Sequence, residues 1–213
     1  MRFRNNSQVT IPALDGTVSP ITRDFYRLPT VRVAEELLGA FVLRWLPNGK
    51  AVGGFVVETE AYLHDDPACH AFAGLNKTNK TLFGEPGHAY IYRSYGLHMM
   101  LNVVCADSGC GDGVLIRALE PALGIDEMQI HRSVTSEVNL ANGPGKLGQA
   151  LALSVRCDDG IDVTLATSKL QIVRTGVPRF KVGQSGRIGL TRGQDSQFRF
   201  YVLDNPYVSR KSR

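Results

Sequence analysis

The chain has 213 residues, of which 43% are hydrophobic and 21% are charged, and its formal net charge is +4. This composition is that of a globular protein with one sizeable core, and it argues against a disordered chain. No apolar run is long enough to span a bilayer, so we expect no membrane association. The mild positive charge is compatible with a nucleic-acid partner but does not indicate one by itself.

The chain is predicted to begin with a loosely held arm, residues 1–22, followed by a short helix. The arm has no apolar core of the signal-peptide kind, which favours a cytoplasmic protein, associated with the nucleoid if it is bacterial. In LPTVRVAEELLGA, Thr30 is a candidate N-cap before an apolar stripe of helical period. Apolar segments on both sides of Asn48-Gly49 then predict a hairpin over residues 41–62.

The rest of the chain is predicted to consist mainly of strands. Two strands meet at a turn near Tyr95-Gly96, and DGVLIRALEP forms the next. Helices are predicted in LGIDEMQIHR and GPGKLGQALAL, and late strands in GIDVTL, KLQIVRTG and FRFYVLD. We therefore predict a single mixed α+β domain over residues 23–213, built on a curved antiparallel sheet with a protruding hairpin.

The strand that ends in VVETEAY carries two acids on one face. Glu58, Glu60 and Tyr62 share a side of an extended strand, because successive side chains alternate. That side either faces solvent or lines a cleft. For an arbitrary strand the solvent-facing side is favoured, and the aromatic residue on the same face weakens that preference slightly. A buried carboxylate beside aromatic rings is able to act as a general base.

Three tyrosines lie close together in YIYRSYG. Tyr90 and Tyr92 point the same way on a strand, whereas Tyr95 falls at the turn, where a large ring would protrude. They are either ordinary sheet aromatics or a stacking platform with an exposed wedge that inserts between bases.

Three isolated polar residues have both a structural and a functional interpretation. Asn102 lies inside an apolar strand, where it is either bonded to backbone or sets specificity in a pocket. Arg117 lies among apolar residues and needs a carboxylate partner, for which Glu58 or Glu60 would suit. His70 alone is more often a structural histidine than a ligand. The four cysteines include no C-x-x-C pair, so a zinc or iron–sulfur site is only weakly indicated.

Several of these motifs occur together in a specific order. The chain resembles the alkyladenine (3-methyladenine, or N-methylpurine) DNA glycosylase family in VVETEAYLHDDPACHA, GHAYIYRSYG…LNVV, GVLIRALEP, NGPGKLGQALAL and the closing FRFYV…NPYVS. The resemblance runs from about Arg27 to Ser209 and is weak in residues 122–141 and 177–197. It implies a single α/β domain that removes damaged purines from double-stranded DNA by base flipping.

The resemblance also implies roles for individual residues. Glu60 corresponds to the general base that activates water, and Arg117 to the group that helps to hold that water or nearby backbone. No lysine falls in the core motif, so we expect a monofunctional enzyme that hydrolyses the N-glycosidic bond and leaves an abasic site. A monomer that needs neither metal nor cofactor is expected.

The remaining roles implied by the resemblance concern the flipped base. Tyr62, His70 and Tyr92 correspond to the walls that hold it. Tyr95 corresponds to the wedge that fills the vacated stack, and Asn102 to a gate against normal guanine.

Two other functions remain as alternatives. A non-catalytic DNA-lesion-binding protein could have the same pocket, although Glu60 and Arg117 argue against it. An RNA-binding module on a related sheet is the second, and the full set of motifs argues against that one.

Overall fold

A computed structural model describes residues 19–176 and 180–209 of the chain. The helices are α1 (Arg23–Tyr26), α2 (Thr30–Glu36), α3 (Ile125–Arg132), α4 (Pro144–Ala150) and α5 (Val155–Asp158), with 3-10 turns at Lys80–Phe83 and Glu137–Asn139. The strands are β1 (Phe41–Trp45), β2 (Ala51–Tyr62), β3 (Ala89–Ser94), β4 (His98–Cys105), β5 (Asp112–Leu123), β6 (Leu170–Val173), β7 (Val182–Ser185) and β8 (Arg199–Val202). Within the described ranges, no helix is both long enough and apolar enough to cross a membrane.

All eight strands join one antiparallel sheet. Its main path runs β3-β4-β5-β2-β1-β6, while β8 pairs with β2 and with β7. The sheet curls into a half-barrel with a few short helices beside it, which confirms the predicted α+β class. The β3–β4 hairpin ends in two side chains that are almost fully exposed, Tyr95 at 89% and Leu97 at 78%, so it protrudes as predicted.

Strand β2 is central, and it changes neighbour along one edge. Residues 51–55 pair with β1, whereas Glu58–Glu60 pair with β8, and β5 lies along the opposite edge. The β2–β5 register shifts three times: Ala122 is an extra residue on β5 near the start of β2, Val57 is an extra residue on β2, and Arg117 is an extra residue on β5. Bulges of this kind turn side chains out of regular alternation and are common beside active sites.

The hydrophobic core lies between the sheet and its helices. Helix α2 packs on β2 and β5, and α4 packs on β4. Gly148 of α4 allows close approach, because a Cβ there would lie 2.0 Å from the Met99 carbonyl oxygen. The largest fully buried side chains include Tyr26, Phe41, Leu37, Ile91, Leu101, Ile116, Leu119, Met128 and Leu147.

The predicted N-terminal arm, residues 1–22, is only partly described. Residues 1–18 lie outside the described residues. The end of the arm packs on the domain, since Ile21 is buried and its N–H donates to the carbonyl of Ile172.

The two predicted hairpin turns are confirmed. Gly49 has φ 82°, and Tyr95 and Gly96 have φ 49° and 70°. The successive positive φ angles at Tyr95 and Gly96 are those of a type I′ turn, which matches the twist of the flanking strands.

Two local predictions were wrong, and one strand was missed. GIDVTL forms a single bridge, between Asp162 and His88, instead of a strand. Strand β7 was not predicted, because VGQS has no apolar alternation. Thr30 is the first residue of α2 and Pro29 is its N-cap; the threonine hydroxyl donates to the Asp112 carboxylate at 2.7 Å.

Candidate active site

One row of paired residues crosses five strands of the sheet. Tyr90 pairs with Asn102, Asn102 with Leu115, Leu115 with Glu60, and Glu60 with Arg199. Directly paired residues project their side chains from the same face of a sheet. The antiparallel topology therefore brings Glu60 and Asn102 to the same side from distant parts of the chain.

A cleft of about 380 Å³ lies over this face of the sheet. The volume is within the range of roughly 300–1,000 Å³ that is usual for small-molecule sites. Its walls come from β2, β3, β4 and β5 and from the segments around His70 and Ile188. Six of the predicted site residues line it: Tyr62, His70, Tyr92, Tyr95, Asn102 and Arg117.

Glu60 lies directly beneath the wall of the cleft. It has no exposed surface, and its neighbours Tyr62, Arg117 and Ile188 all line the cleft. Its Oε1 accepts the backbone N–H of Ile188 at 2.8 Å. Its Oε2 accepts the Tyr62 hydroxyl at 2.8 Å and Nη1 of Arg117 at 3.0 Å. The carboxylate is therefore fixed in position by donors from three segments of the chain.

Glu58 lies deeper and pairs with two arginines. One oxygen accepts Nε of Arg117 at 3.0 Å, Nε of Arg199 at 2.6 Å and the Ser209 hydroxyl at 2.8 Å. The other oxygen accepts the Ser209 backbone N–H at 2.7 Å. Burial alone would lower the pKa of Arg117, but Glu60 and Glu58 raise it above its usual value. Arg117 thus joins the two acids, and the ion-pairing role that the sequence left open for Glu58 is the one it has.

The rings of His70, Tyr90 and Tyr92 contact one another, and the ring of Tyr62 lies apart from them. The rings of His70 and Tyr92 lie 4.3 Å apart between centroids, and Tyr90 donates or accepts a hydrogen bond at His70 Nδ1, 2.9 Å away. Among the described residues, no ring contact joins Tyr62 to this group. His70 is exposed as a residue, yet partial burial of its ring lowers its pKa, which favours the neutral form.

The buried guanidinium of Arg187 packs against the ring of Tyr62. The Arg187 guanidinium carbon lies 4.6 Å from the centre of the Tyr62 ring, within the range of a cation–π contact. Arg187 also pairs with Asp66 at 2.5 Å and donates to the carbonyls of Ala61 and Gly193. Burial, and then Glu60, raise the pKa of Tyr62 well above its usual value, so the phenol remains a hydrogen-bond donor.

The gate and wedge candidates lie on the β3–β4 hairpin. Asn102 is buried and donates weakly to the Tyr90 carbonyl at 3.4 Å, which leaves its amide oxygen available to the cleft that it lines. Tyr95 lies at the rim of the cleft and projects into solvent from the turn, with Leu97 beside it.

Sequence reasoning missed four residues that build the site. Arg187 and Ile188 lie in a segment without a motif. Ser209 ends the NPYVS motif, but no role was predicted for it, and only the folded chain shows the contacts of all three residues. Arg199 did carry a signal, because a charge between two phenylalanines in FRFYV has the same character as Arg117 in VLIRALEP.

No metal site is evident within the cleft. Among the described residues, its lining contains no close group of three histidine, cysteine or acidic side chains. The chemistry that this arrangement offers is that of a fixed carboxylate beneath an aromatic cleft.

Comparison with known proteins identifies the family. Residues 24–206 match the model of the methylpurine-DNA glycosylase family. A Francisella tularensis subsp. tularensis protein named "Putative 3-methyladenine DNA glycosylase" is 41% identical over 187 residues, 87% of this chain and 96% of the relative. Relatives of the same name from Carboxydothermus hydrogenoformans and Chlorobaculum tepidum are each 42% identical, covering 90% and 88% of this chain and 99% and 89% of their own. This chain therefore belongs to the methylpurine-DNA glycosylase family of DNA-repair enzymes.

Proposed function

We propose that the protein is a monofunctional glycosylase that flips alkylated or deaminated purines out of duplex DNA and hydrolyses the N-glycosidic bond, leaving an abasic site. The observation that carries this proposal is the Glu60 carboxylate, which is fully buried yet fixed directly beneath an aromatic cleft. Family membership supports DNA and its methylated purines as the substrate class. All of the groups involved come from one chain, so a monomer is sufficient.

The protruding hairpin suits the first step, which is extrusion of the base. A base inside the duplex shields its sugar carbon, and flipping costs roughly a few kcal/mol, less for a weakly paired lesion. Tyr95 is exposed at the rim of the cleft, which supports a role in which its ring enters the space that the base leaves. Leu97 beside it adds apolar surface for the same minor-groove contact.

The aromatic walls suit the second step, which is retention of the base. Stacking on aromatic side chains is worth about 1–3 kcal/mol per base. The contacting rings of His70 and Tyr92 would form one wall, and Tyr62 would form another. Alkylated purines often carry positive charge, which such π faces attract.

Glu60 suits the chemical step. A carboxylate offers about four lone-pair sites, and three donors occupy Glu60, which leaves one site for a water molecule. As the glycosidic bond breaks, positive charge builds on the sugar, and a fixed carboxylate stabilises it. The water gives its proton to Glu60 and its oxygen to the sugar carbon, while the base departs. Arg117 holds the carboxylate and, with it, the water.

The lining of the cleft supports a hydrolytic rather than a lyase reaction. A lyase would use an amine to form a Schiff base with the sugar. Where the structure describes the cleft, no lysine lines it. We therefore expect intact abasic DNA as the product, with strand breakage only after alkaline treatment.

Asn102 is proposed to set specificity. Its side chain would meet the exocyclic amine of normal guanine, which would then be buried with poor hydrogen bonding. Oligonucleotides that carry hypoxanthine, ethenoadenine, 3-methyladenine or 7-methylguanine would define the preferred lesion, and Asn102→Ser would be expected to raise release of normal guanine. An unchanged excision profile would remove the gate role.

The test of the proposed function is single-turnover excision by Glu60→Gln. The amide keeps the shape of the side chain but cannot accept the proton of water, so the rate of base release should fall by at least about 100-fold. Affinity for lesion-containing DNA, measured without turnover, should change little. Glu35→Gln, at an exposed position of α2, is the matched control and should retain wild-type activity. Excision by Glu60→Gln at the wild-type rate would overturn the role of Glu60.

A further inference from the structure

Outside the cleft, three different metal-ligating side chains converge. Nδ1 of His64 lies 2.8 Å from Oδ1 of Asp112, and Sγ of Cys110 lies 3.2 Å from that nitrogen and 3.4 Å from that oxygen. No other group of three such ligands is found in residues 19–176 and 180–209. His64 follows β2, Cys110 lies in the β4–β5 turn, and Asp112 begins β5.

The spacing of these atoms is close to that of a tetrahedral metal site. Zinc bonds of about 2.0 Å to nitrogen and oxygen and 2.3 Å to sulfur place neighbouring ligand atoms roughly 3.3–3.5 Å apart. The two distances to Sγ are within a few tenths of an ångström of those values. The His64–Asp112 separation is shorter because these two groups are hydrogen-bonded, and a small rotation of the exposed His64 ring would open it.

The surroundings hold the ligands in place. The second carboxylate oxygen of Asp112 accepts the buried Thr30 hydroxyl at 2.7 Å, and the first also accepts the His64 backbone N–H at 2.8 Å. Such outer contacts orient ligating carboxylates in metal sites. The His64 side chain is 54% exposed, which gives an ion a path from solvent.

We propose that His64, Cys110 and Asp112 form a binding site for Zn²⁺ or a similar divalent ion, with water as the fourth ligand. A mixture of thiolate, imidazole and carboxylate suits zinc better than magnesium or calcium, which prefer oxygen ligands alone. The ion would tie the segment after β2, which carries His70, to the start of β5, where Gly113 lines the cleft. The site is therefore structural and lies outside the proposed reaction.

The sequence does not reveal this site. Cys110 and Asp112 are separated by one residue, His64 lies far away, and no C-x-x-C pair is present. Only the β2–β5 pairing, which joins Tyr62 to Gly113, brings the histidine beside the other two ligands.

Titration of the metal-free full-length protein with Co²⁺ tests the proposal. One equivalent should give the near-ultraviolet charge-transfer band of a cobalt thiolate and the visible bands of tetrahedral cobalt. Cys110→Ser should lose the thiolate band, and His64→Ala should weaken binding at least about tenfold. Cys157→Ser removes another exposed cysteine and should titrate as the wild type does.

Thermal unfolding gives a second measurement with zinc itself. An ion that binds only the folded chain raises the melting temperature, so Zn²⁺ should stabilise the wild type and Cys157→Ser but not His64→Ala. The absence of a cobalt band in the wild type, or the same band in Cys110→Ser, would overturn the proposal. Neither measurement involves DNA, so its failure would leave the proposed glycosylase function untouched.

Discussion

The floor of the cleft and the tip of its hairpin are built in opposite ways. The floor contains Glu58 and Glu60, which are fully buried and are held by residues from β5, β8 and the C-terminal segment. The tip contains Tyr95 and Leu97, which are exposed and belong to one local turn. Both regions would serve the same reaction, yet one depends on contacts distant in sequence and the other on a few adjacent residues.

Because of this difference, substitutions in the floor and substitutions at the tip should affect different properties of the protein. Buried charges must remain paired, so a change in the floor should affect folding as well as chemistry. A change at an exposed tip removes few contacts, so it should affect DNA binding while the fold is retained.

The largest loss of stability is expected from Glu58→Ala. The substitution would leave Arg117 and Arg199 buried without their shared carboxylate, at a cost of about 3–5 kcal/mol in the free energy of unfolding. Urea denaturation of this variant and of Glu35→Ala, which lacks a buried partner, measures the difference. Equal stability of the two variants would contradict a structural role for Glu58.

Arg187→Lys is expected to lower the reaction rate and, to a smaller extent, to change the affinity for DNA. Lysine keeps the charge near Asp66 but loses the planar group over Tyr62 and part of the hydrogen bonding to Gly193. The single-turnover rate should fall about tenfold, with a smaller change in DNA affinity. In Arg192→Lys, at an exposed position of the same segment, both should be unchanged. If the two variants behave alike, Arg187 does not position the wall of the cleft.

A substitution at the hairpin tip should lower activity without lowering stability. Tyr95 has φ 49°, which most side chains avoid, whereas asparagine before glycine is the favoured pair for this turn. Tyr95→Asn should therefore leave stability unchanged or raise it by about 0.5–1 kcal/mol. Excision from duplex DNA should fall roughly tenfold or more, because a stacking contact worth about 1–3 kcal/mol is lost.

The measurement for Tyr95→Asn compares duplex with single-stranded substrate. A single strand needs no wedge, so its excision should be affected less than that of the duplex. Equal losses on both substrates would argue against the wedge.

The smallest effect is a pH dependence from His70. Burial lowers its pKa below the unfolded value of about 6.5, so the unfolded chain binds the proton first as the pH falls. Stability of the wild type should therefore decrease below about pH 6.5 more than that of His70→Gln. The difference should be modest, because the ring is partly solvated. Chemical denaturation of both proteins at pH 7 and pH 5 would show it, and parallel curves would exclude it.

The sequence predicted local structure well and long-range contacts poorly. The hairpin turns followed from Asn48-Gly49 and from the glycine after Tyr95, because positive φ angles demand particular residues at those positions. Strand β7 was missed because VGQS is polar, and it forms a strand only because β8 offers an edge to pair with. Pairing of this kind is a property of the whole fold.

The same distinction applies to the candidate site. Residues within recognisable motifs, such as Tyr62 and Asn102, were identified and do line the cleft. Arg187 and Ser209 were missed, since their partners lie more than a hundred residues away in the chain. A charged residue within an apolar strand indicates that a partner of opposite charge is needed, but the sequence does not identify that partner.

The bulges at Val57 and Arg117 should determine where the chain tolerates insertions and deletions. Between Val56 and Thr59 each strand has one extra residue, so these two shifts cancel and the phase of the Val56–Leu119 pair resumes at Thr59 and Ile116. Deleting Val57 alone would leave the Arg117 shift uncompensated, and Glu58 and Glu60 would both turn to the opposite face of the sheet. Insertions and deletions should therefore be accepted in the turn at Asn48-Gly49 but accepted in these strands only as compensating pairs.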